Sequence, residues 1–379
     1  MPLKPYANSK QQLQIAELVD ANPHWTGKRV AEELGLYAGT VRGAISRMRK
    51  RQARKDPSVH SNEAPPGYAL KGVSTQRRDP EGNVQWVKTE RLRGSQDPEL
   101  FLRAFKGAVE GILPVTAVSA PRDLRDDLLT VYPLGDPHLG LVASSLVTGT
   151  EYDLETCIAD LTCAMDELVD SAPCGSRALI INSGDYFHSD LMDGRTSRSG
   201  HKLDVDGRWH HVLRAGIETM IRLVQRALEK HSHVIVDNRP GNHDDMSAAF
   251  LQLCLEAYFK DEPRVTVVQC VQPVWHYVHG TVLIASAHGH APKSEDMPAI
   301  LAADFPEDWG RTKTRHVYVG HIHHQTVREY RGCTVESLRV HGAKDAWTHS
   351  MGYRAKRVVI MDVWHKDKGH RTRHTVNLG

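Results

Sequence analysis

Five short clusters of acidic, amide and imidazole side chains are spread over residues 135 to 323 of this 379-residue chain. They are Gly135-Asp136-Pro137-His138, Gly184-Asp185-Tyr186-Phe187-His188, Gly241-Asn242-His243-Asp244, His288-Gly289-His290 and Gly320-His321-Ile322-His323. A donor set of this kind without thiolate suits manganese, iron, zinc or nickel better than calcium or magnesium. One such cluster arises easily by chance, whereas five in order predict a metal site.

Each cluster directly follows a run of residues that predicts a β-strand. In an extended strand end, residues i and i+2 point to the same side, so Asp136 with His138, and His321 with His323, are expected to converge. Asp185 is the candidate carboxylate that bridges two cations. A pair of metal ions about 3.5 to 4 Å apart can clamp the attacking and leaving oxygens of a phosphoryl group. The clusters therefore predict a two-metal site for phosphoryl chemistry.

The segments that must position these clusters alternate between short β-branched runs and long amphipathic helices, which indicates α/β layering. Strands are predicted at 129–134, 178–182, 234–238, 265–268, 282–286, 316–319 and 358–363, and helices at 154–169, 209–230 and 247–259. A basic run at 366–374 is expected to be a solvated tail. An α/β sheet presents its ligands at the carboxyl ends of strands, which is where the clusters lie.

The ordered set D-x-H, GD, GNHD, H and G-H-x-H resembles the calcineurin-like metallophosphoesterase superfamily over about residues 129 to 340. This resemblance implies a metal-dependent phosphoesterase domain at 126–379, built as a two-sheet sandwich flanked by helices. It implies two divalent cations as cofactors, with manganese as the first expectation. One metal is expected on Asp136, His138, Asp185 and His323, and the other on Asp185, Asn242, His288 and His321.

Three further residues gain expected roles from the same resemblance. His243 resembles the general acid that protonates or stabilises the leaving oxygen, and Asp244 is expected to orient it. Many family members have an aspartate at the position of His188. The histidine found here is similar to the GD-x-F-H form of the nuclease subunits of double-strand-break repair complexes. It is expected to contact the scissile phosphate, and the alternative is that it is a tolerated polar neighbour.

The first 56 residues differ in charge from the rest of the chain. They carry 11 lysines and arginines against 5 acidic residues, whereas the remaining residues carry 37 against 41. Three short predicted helices resemble a helix-turn-helix module with a basic third helix. DNA contacts are expected from Arg42, Ser46, Arg49 and Lys50. The alternative for this module, at 1–56, is oligomerisation or protein docking.

Residues 57–125 are expected to form a linker and connector, with a β-hairpin around 79–83 and a helix from Asp97. The sequence has no uninterrupted apolar run of the roughly 18 residues that a membrane span needs, and its start has no apolar leader. Its six cysteines form no C-x-x-C pair, which argues against disulfides and a cysteine-ligated zinc. A soluble cytoplasmic protein without a membrane partner is expected.

The leading functional hypothesis is a metal-dependent phosphodiesterase, specifically a nuclease that acts on DNA in replication, recombination or repair. A helix-turn-helix joined to a phosphoesterase resembles proteins encoded by bacteriophages, which would place it in the cytoplasm of a bacterial host. A partner ATPase or a homo-oligomer is a further expectation. The alternatives are a phosphatase or phosphodiesterase for nucleotides or phosphoproteins, and a DNA-binding regulator without catalysis. The complete set of ligand positions argues against the regulator.

Overall fold

The structure is a computed structural model of the 379-residue chain. It describes residues 2–22, 25–55, 73–78, 84–89, 121–190, 194–196, 203–206, 209–269 and 272–378, and positions 106, 109, 112, 118, 119 and 200. The chain divides into two compact units, Met1–Arg91 and Leu92–Gly379. Most of the helix expected from Asp97 and most of the expected linker lie outside the described residues. No helix in the described part of the chain is long and apolar enough to cross a membrane.

Three helices and a hairpin make up the described part of the first unit. They are α1 (Lys10–Ala21), α2 (Gly27–Leu34), α3 (Ala38–Lys55), β1 (Val73–Arg78) and β2 (Val84–Thr89), and the two strands pair antiparallel. The side chain of Thr26 caps the start of α2, and Gly35 ends it in the left-handed region at φ 62°. The buried core includes Ile15, Val30, Val41 and Met48.

The second unit begins its regular structure at residue 125. Its strands are β3 (Arg125–Leu134), β4 (Gly175–Asn182), β5 (His233–Asn238), β6 (Val265–Val267), β7 (Val274–His279), β8 (Val282–Ala287), β9 (Thr314–Val319), β10 (Thr326–Tyr330), β11 (Cys333–Ser337), β12 (Val358–His365) and β13 (Gly369–Asn377). Its α-helices are α4 (Ser145–Thr148), α5 (Leu154–Ser171), α6 (Trp209–Leu228), α7 (Asp245–Phe259), α8 (Met297–Asp304), α9 (Pro306–Arg311) and α10 (Ala346–Ser350).

These strands form two mixed sheets that pack face to face. The first has the order β13-β12-β3-β4-β5-β6, with β3 to β6 parallel, and the second has the order β10-β11-β9-β8-β7, with β8, β9 and β11 parallel. Along β4, Leu179 and Ile181 face the second sheet, whereas Ala178 and Ile180 face α5, α6 and α7. Burial on both faces explains why β4 is apolar from Ala178 to Ile181. The predicted α/β fold with two sheets flanked by helices is confirmed.

The C-terminal run that was expected to be a solvated tail is instead an edge strand, β13. Its basic composition predicts exposure, but Arg373 lies between two buried carboxylates. Its guanidinium pairs with Glu336 at 2.7 Å and with Asp362 at 2.6 Å. Burial alone would raise the pKa of Glu336, yet His316 and Arg373 lower it to about 2. Long-range ion pairs of this kind leave no local sequence signal.

Candidate metal centre

The five polar clusters meet at one edge of the two sheets. Strands β3, β4 and β5 are parallel neighbours in the first sheet, and β8 and β9 are parallel neighbours in the second. The segments that carry the clusters follow the carboxyl ends of these five strands. The structure therefore brings together side chains that are up to 187 positions apart in the sequence, from Asp136 to His323.

The backbone at the predicted ligands is unusual. Positive φ angles occur at Asp136 (46°), His138 (51°), Asp185 (51°), His321 (72°) and His323 (58°). Among the described residues, only one other non-glycine position has a positive φ, Asp123. This conformation costs of order 1 to 3 kcal/mol at a non-glycine residue and is found mainly at functional sites. The side chains of each i, i+2 pair thus converge through left-handed turns and not through the extended backbone that was expected.

Two glycines allow the chain to pass against the predicted carboxylate ligands. A Cβ atom at Gly320 would lie 2.9 Å from both carboxylate oxygens of Asp136. A Cβ atom at Gly241 would overlap the carboxylate and the backbone nitrogen of Asp185. Since a backbone atom has little room to move, only glycine fits at position 241.

Replacing Gly241 should therefore damage the site. We expect Gly241→Ala to lower the free energy of unfolding by about 1 to 3 kcal/mol, as overpacking does, and to reduce bound metal. Gly310→Ala is a matched control, because a Cβ atom there meets nothing within 4 Å and the residue lies in α9. Thermal unfolding and metal analysis measure both effects. A Gly241→Ala variant with unchanged melting temperature and full metal content would contradict this geometry.

The first ligand cluster contains Asp136, His138 and His323. One ligand atom from each lies within 4.8 Å of the others. The Nε2 atoms of His138 and His323 are 3.1 Å apart, and the backbone N–H of His321 donates to both oxygens of Asp136 at 2.9 and 3.0 Å. Three of the four side chains expected around the first metal thus converge on one point.

The second cluster contains Asp185, His288 and His321, again with ligand atoms within 4.8 Å of each other. His288 Nε2 lies 3.3 Å from Asp185 Oδ2 and 3.0 Å from Asn242 Oδ1. Its other nitrogen, Nδ1, lies 2.9 Å from the carbonyl oxygen of Ser183. Donation from Nδ1 to a carbonyl is the usual support for a histidine that binds metal through Nε2. All four side chains expected around the second metal are neighbours.

Three of the four histidines expected as ligands have a protonation tendency that suits metal binding. Burial lowers the pKa of His138 well below its ordinary value and lowers those of His321 and His323 to about 4. These imidazoles are therefore neutral at pH 7, the state that binds metal. Burial also disfavours charge on His288 and Asp185, but their mutual attraction raises the pKa of His288 to about 9 and holds that of Asp185 well below its ordinary value.

The donor set fits divalent metal ions. Imidazole nitrogens, carboxylate oxygens and one amide oxygen face one another in two groups, and Asp185 reaches both the second group and the loop of His243. Burial, with repulsion from Asp185, raises the pKa of Asp136 to about 7. Cations between these groups would neutralise the two carboxylates and occupy the imidazole lone pairs. The residues present can therefore hold the two metals that the sequence predicts.

His243 and His188 form a further group beside the first cluster. A nitrogen of each lies within 4.8 Å of a nitrogen of His138, and their rings stack with centroids 5.5 Å apart. His188 Nδ1 lies 3.3 Å from His138 Nδ1, and its Nε2 atom is buried without a hydrogen-bond partner among the described residues. The structure places His188 as a buried partner of His138, and its contact with the scissile phosphate stays a prediction.

Asp244 has a different contact from the one expected. The backbone N–H groups of Gly241, Asp185 and Phe187 donate to its carboxylate at 2.8, 3.2 and 3.1 Å. The ring of His243 is held elsewhere, with Nδ1 2.9 Å from the carbonyl oxygen of His188. The expected orientation of His243 by Asp244 is therefore replaced by a backbone contact. Asp244 instead joins the loops that carry two predicted ligands.

Asp190, which the sequence did not predict as part of the site, is a buried carboxylate that supports the same region. The backbone N–H groups of Met246 and Ser247 donate to its two oxygens at 2.9 and 2.8 Å, which fixes the start of α7 behind His243. Its position two residues after the GD-x-F-H motif was the available signal. Of the predicted DNA contacts on α3, Ser46 is exposed. The side chains of Arg42, Arg49 and Lys50 lie outside the described residues.

Comparison with known proteins adds names to this architecture. No family model and no curated protein matches the sequence. Among solved structures, the chain is similar to an archaeal phosphodiesterase, with 11% identity over 66% of this chain and 99% of the other, and a TM-score of 0.34. It is also similar to a phosphoesterase predicted in Streptococcus pneumoniae, with 10% identity, coverage of 66% and 98%, and a TM-score of 0.27.

A third similar structure is a Staphylococcus aureus protein assigned as a 5′-nucleotidase. It is 10% identical over 66% of this chain and 54% of the other, with a TM-score of 0.33. The present chain has two mixed sheets flanked by helices, as expected for a metallophosphoesterase. The three solved proteins described above bear the names of phosphate-ester hydrolases.

Proposed function

We propose that this protein is a metal-dependent phosphodiesterase that hydrolyses DNA. The observation that carries the proposal is the convergence of the predicted ligands in two clusters, with five of the six positive-φ non-glycine residues of the described chain among them. Strained backbone at a site persists only where the surrounding structure holds it in place. Here it aims imidazoles and carboxylates at two adjacent points, as a dinuclear centre requires.

The residues have separable tasks in this proposal. When bound, two divalent ions supply charge neutralisation for the phosphoryl oxygens and make a nearby water more acidic. The three side chains of the first cluster would hold one ion, and Asp185 with Asn242, His288 and His321 would hold the other. His188 fixes the ring of His138 through Nδ1, so that the Nε2 atom of His138 faces His323.

His243 is suited to donate a proton to the leaving oxygen. Its Nδ1 atom donates to the carbonyl of His188, which directs the opposite nitrogen, Nε2, away from that loop. Its backbone N–H donates to Asp185 Oδ1 at 2.8 Å, which ties its position to the predicted bridging ligand. A proton donor held next to the metal ligands can serve an alkoxide leaving group, as phosphodiester cleavage in DNA requires.

Cleavage of end-labelled linear DNA and closed circular DNA by the manganese-loaded protein tests the substrate class. We expect cleavage by the wild type and none by Asp185→Asn, and the circular substrate separates internal attack from attack at ends. Hydrolysis of small phosphate esters without cleavage of either DNA would overturn the nuclease proposal. It would favour nucleotides or phosphoproteins as substrates.

The N-terminal module has DNA as its proposed ligand, on the basis of its excess of basic residues. We expect deletion of residues 1 to 56 to leave kcat/KM on bis-p-nitrophenyl phosphate within about twofold of the wild type. Affinity for duplex DNA should fall at least about tenfold at low salt, because phosphate contacts are lost. Loss of small-ester hydrolysis would instead show that the module is part of the catalytic fold.

A further inference from the structure

The segment from Lys344 to Arg357 lies beside the metal-ligand clusters, and none of the tasks above uses it. Its helix α10 is fixed at the start by the buried carboxylate of Asp345. That carboxylate accepts hydrogen bonds from the backbone N–H and the hydroxyl of Thr348 at 2.7 and 2.6 Å. After the helix, the backbone N–H of Tyr353 returns to the carbonyl of Thr348 at 3.1 Å. The segment is therefore anchored although it lies at the surface.

Two aromatic rings in this segment lead from the ligand cluster to the surface. The ring of Tyr353 has its centroid 6.3 Å from that of His323, an expected metal ligand. The ring of Trp347 lies 6.1 Å from Tyr353, with an angle of 33° between the ring planes, and its side chain is 57% exposed. A large aromatic side chain exposed next to a reaction centre has a free face on which a flat ligand can stack.

The charge of the segment indicates which flat ligand this is. Lys344, Arg354 and Lys356 form no ion pair with any residue that the structure describes. Arg354 donates to two backbone carbonyls, of His349 and Tyr353, so its charge has no carboxylate partner there. The one acidic residue of the segment, Asp345, is buried in its helix cap. An exposed aromatic ring next to cations that have no carboxylate partner is typical of surfaces that bind single-stranded nucleic acid.

We propose that Trp347 and Tyr353 form a stacking platform for a base of an unpaired nucleic-acid strand whose phosphodiester lies at the metal centre. Lys344, Arg354 and Lys356 then lie along the sugar-phosphate backbone of that strand. This inference rests on the proposed phosphodiesterase function and deepens it, because it assigns the substrate as a strand with an accessible base. Stacking does not depend on base identity, so the platform is expected to be tolerant of sequence.

A pair of matched esters tests the platform with the full-length, manganese-loaded protein. Thymidine 5′-(p-nitrophenyl phosphate) and methyl p-nitrophenyl phosphate release the same leaving group and differ in the nucleoside. We expect Trp347→Ala to reduce kcat/KM for the thymidine ester by about 5- to 100-fold and to leave the methyl ester within about twofold. Trp347→Phe should retain most of the activity. Met351→Ala is the matched control, since Met351 is 62% exposed and has no aromatic face.

A binding measurement without metal separates the platform from catalysis. In EDTA, we expect Trp347→Ala to weaken binding of a labelled oligothymidylate of about 12 nucleotides by the same factor, and to leave binding of an abasic strand of equal length unchanged. Equal losses on both esters, or unchanged values for the thymidine ester and oligothymidylate, would overturn the platform. If the wild type hydrolyses neither ester while strand binding depends on Trp347, the phosphodiesterase proposal fails and the platform stands.

Discussion

Asp185→Asn should abolish most of the activity and most of the metal binding together. Asp185 Oδ2 lies 3.3 Å from His288 Nε2, and its other oxygen accepts the backbone N–H of His243 at 2.8 Å. The amide of asparagine is neutral and has one oxygen in place of two, so it cannot bridge two cations as a carboxylate does. A metal centre contributes several kcal/mol of transition-state stabilisation, so we expect a loss on the order of 10³-fold in kcat. Metal analysis and hydrolysis of bis-p-nitrophenyl phosphate measure the two effects.

The same substitution at a distant buried carboxylate is the control. Asp362 lies on β12, and its charge pairs with Arg373 on β13. Asp362→Asn should therefore reduce stability and leave the metal content at the wild-type level. If Asp185→Asn kept two metals and full activity, the bridging role of this carboxylate would be wrong.

His243→Ala should separate catalysis from metal binding. The ring of His243 lies beside the first cluster, with its centroid 5.0 Å from that of His138, and it is not among the expected ligands. We expect the metal content to stay at the wild-type level and the cleavage of DNA to fall by about 10²- to 10⁴-fold, the range of general acid catalysis.

The leaving group provides an internal control for His243. The alkoxide that leaves DNA needs a proton, whereas p-nitrophenolate is a good leaving group and depends less on an acid. We therefore expect a much smaller loss on bis-p-nitrophenyl phosphate than on DNA. Equal losses on the two substrates would argue against proton donation by His243 and for a role in binding the phosphate.

The layered architecture could be predicted because burial on both faces leaves a strong local pattern. Strands β3, β4 and β5 each contain a run of buried apolar residues and are followed within three residues by a glycine and a polar cluster, so their positions and the place of the site were predictable. Helices α5 and α6 were predictable from their long apolar stripes. In contrast, β10 has mostly exposed side chains and β13 alternates without a strong apolar face. Such edge strands are defined by pairing, which a single sequence does not display.

Within the site, residue types were predictable but contacts were not. The motif order pointed to Asp136, His288 and His323, and the structure places them in the two clusters. The backbone conformation that aims them was not predictable, because the left-handed turns at Asp136 and His138 depend on the glycine-lined packing around them. The role of Asp244 also depended on distant partners, since it accepts N–H groups from two separate loops.

Titration of manganese into the metal-free protein tests the dinuclear site. Bound metal and hydrolysis of bis-p-nitrophenyl phosphate are measured in the same titration. We expect saturation at two equivalents per chain and activity that rises with occupancy of the second. We also expect Asp185→Asn to fail to reach two equivalents. Saturation at a single equivalent with full activity, or hydrolysis that persists after all metal is removed, would contradict a dinuclear site.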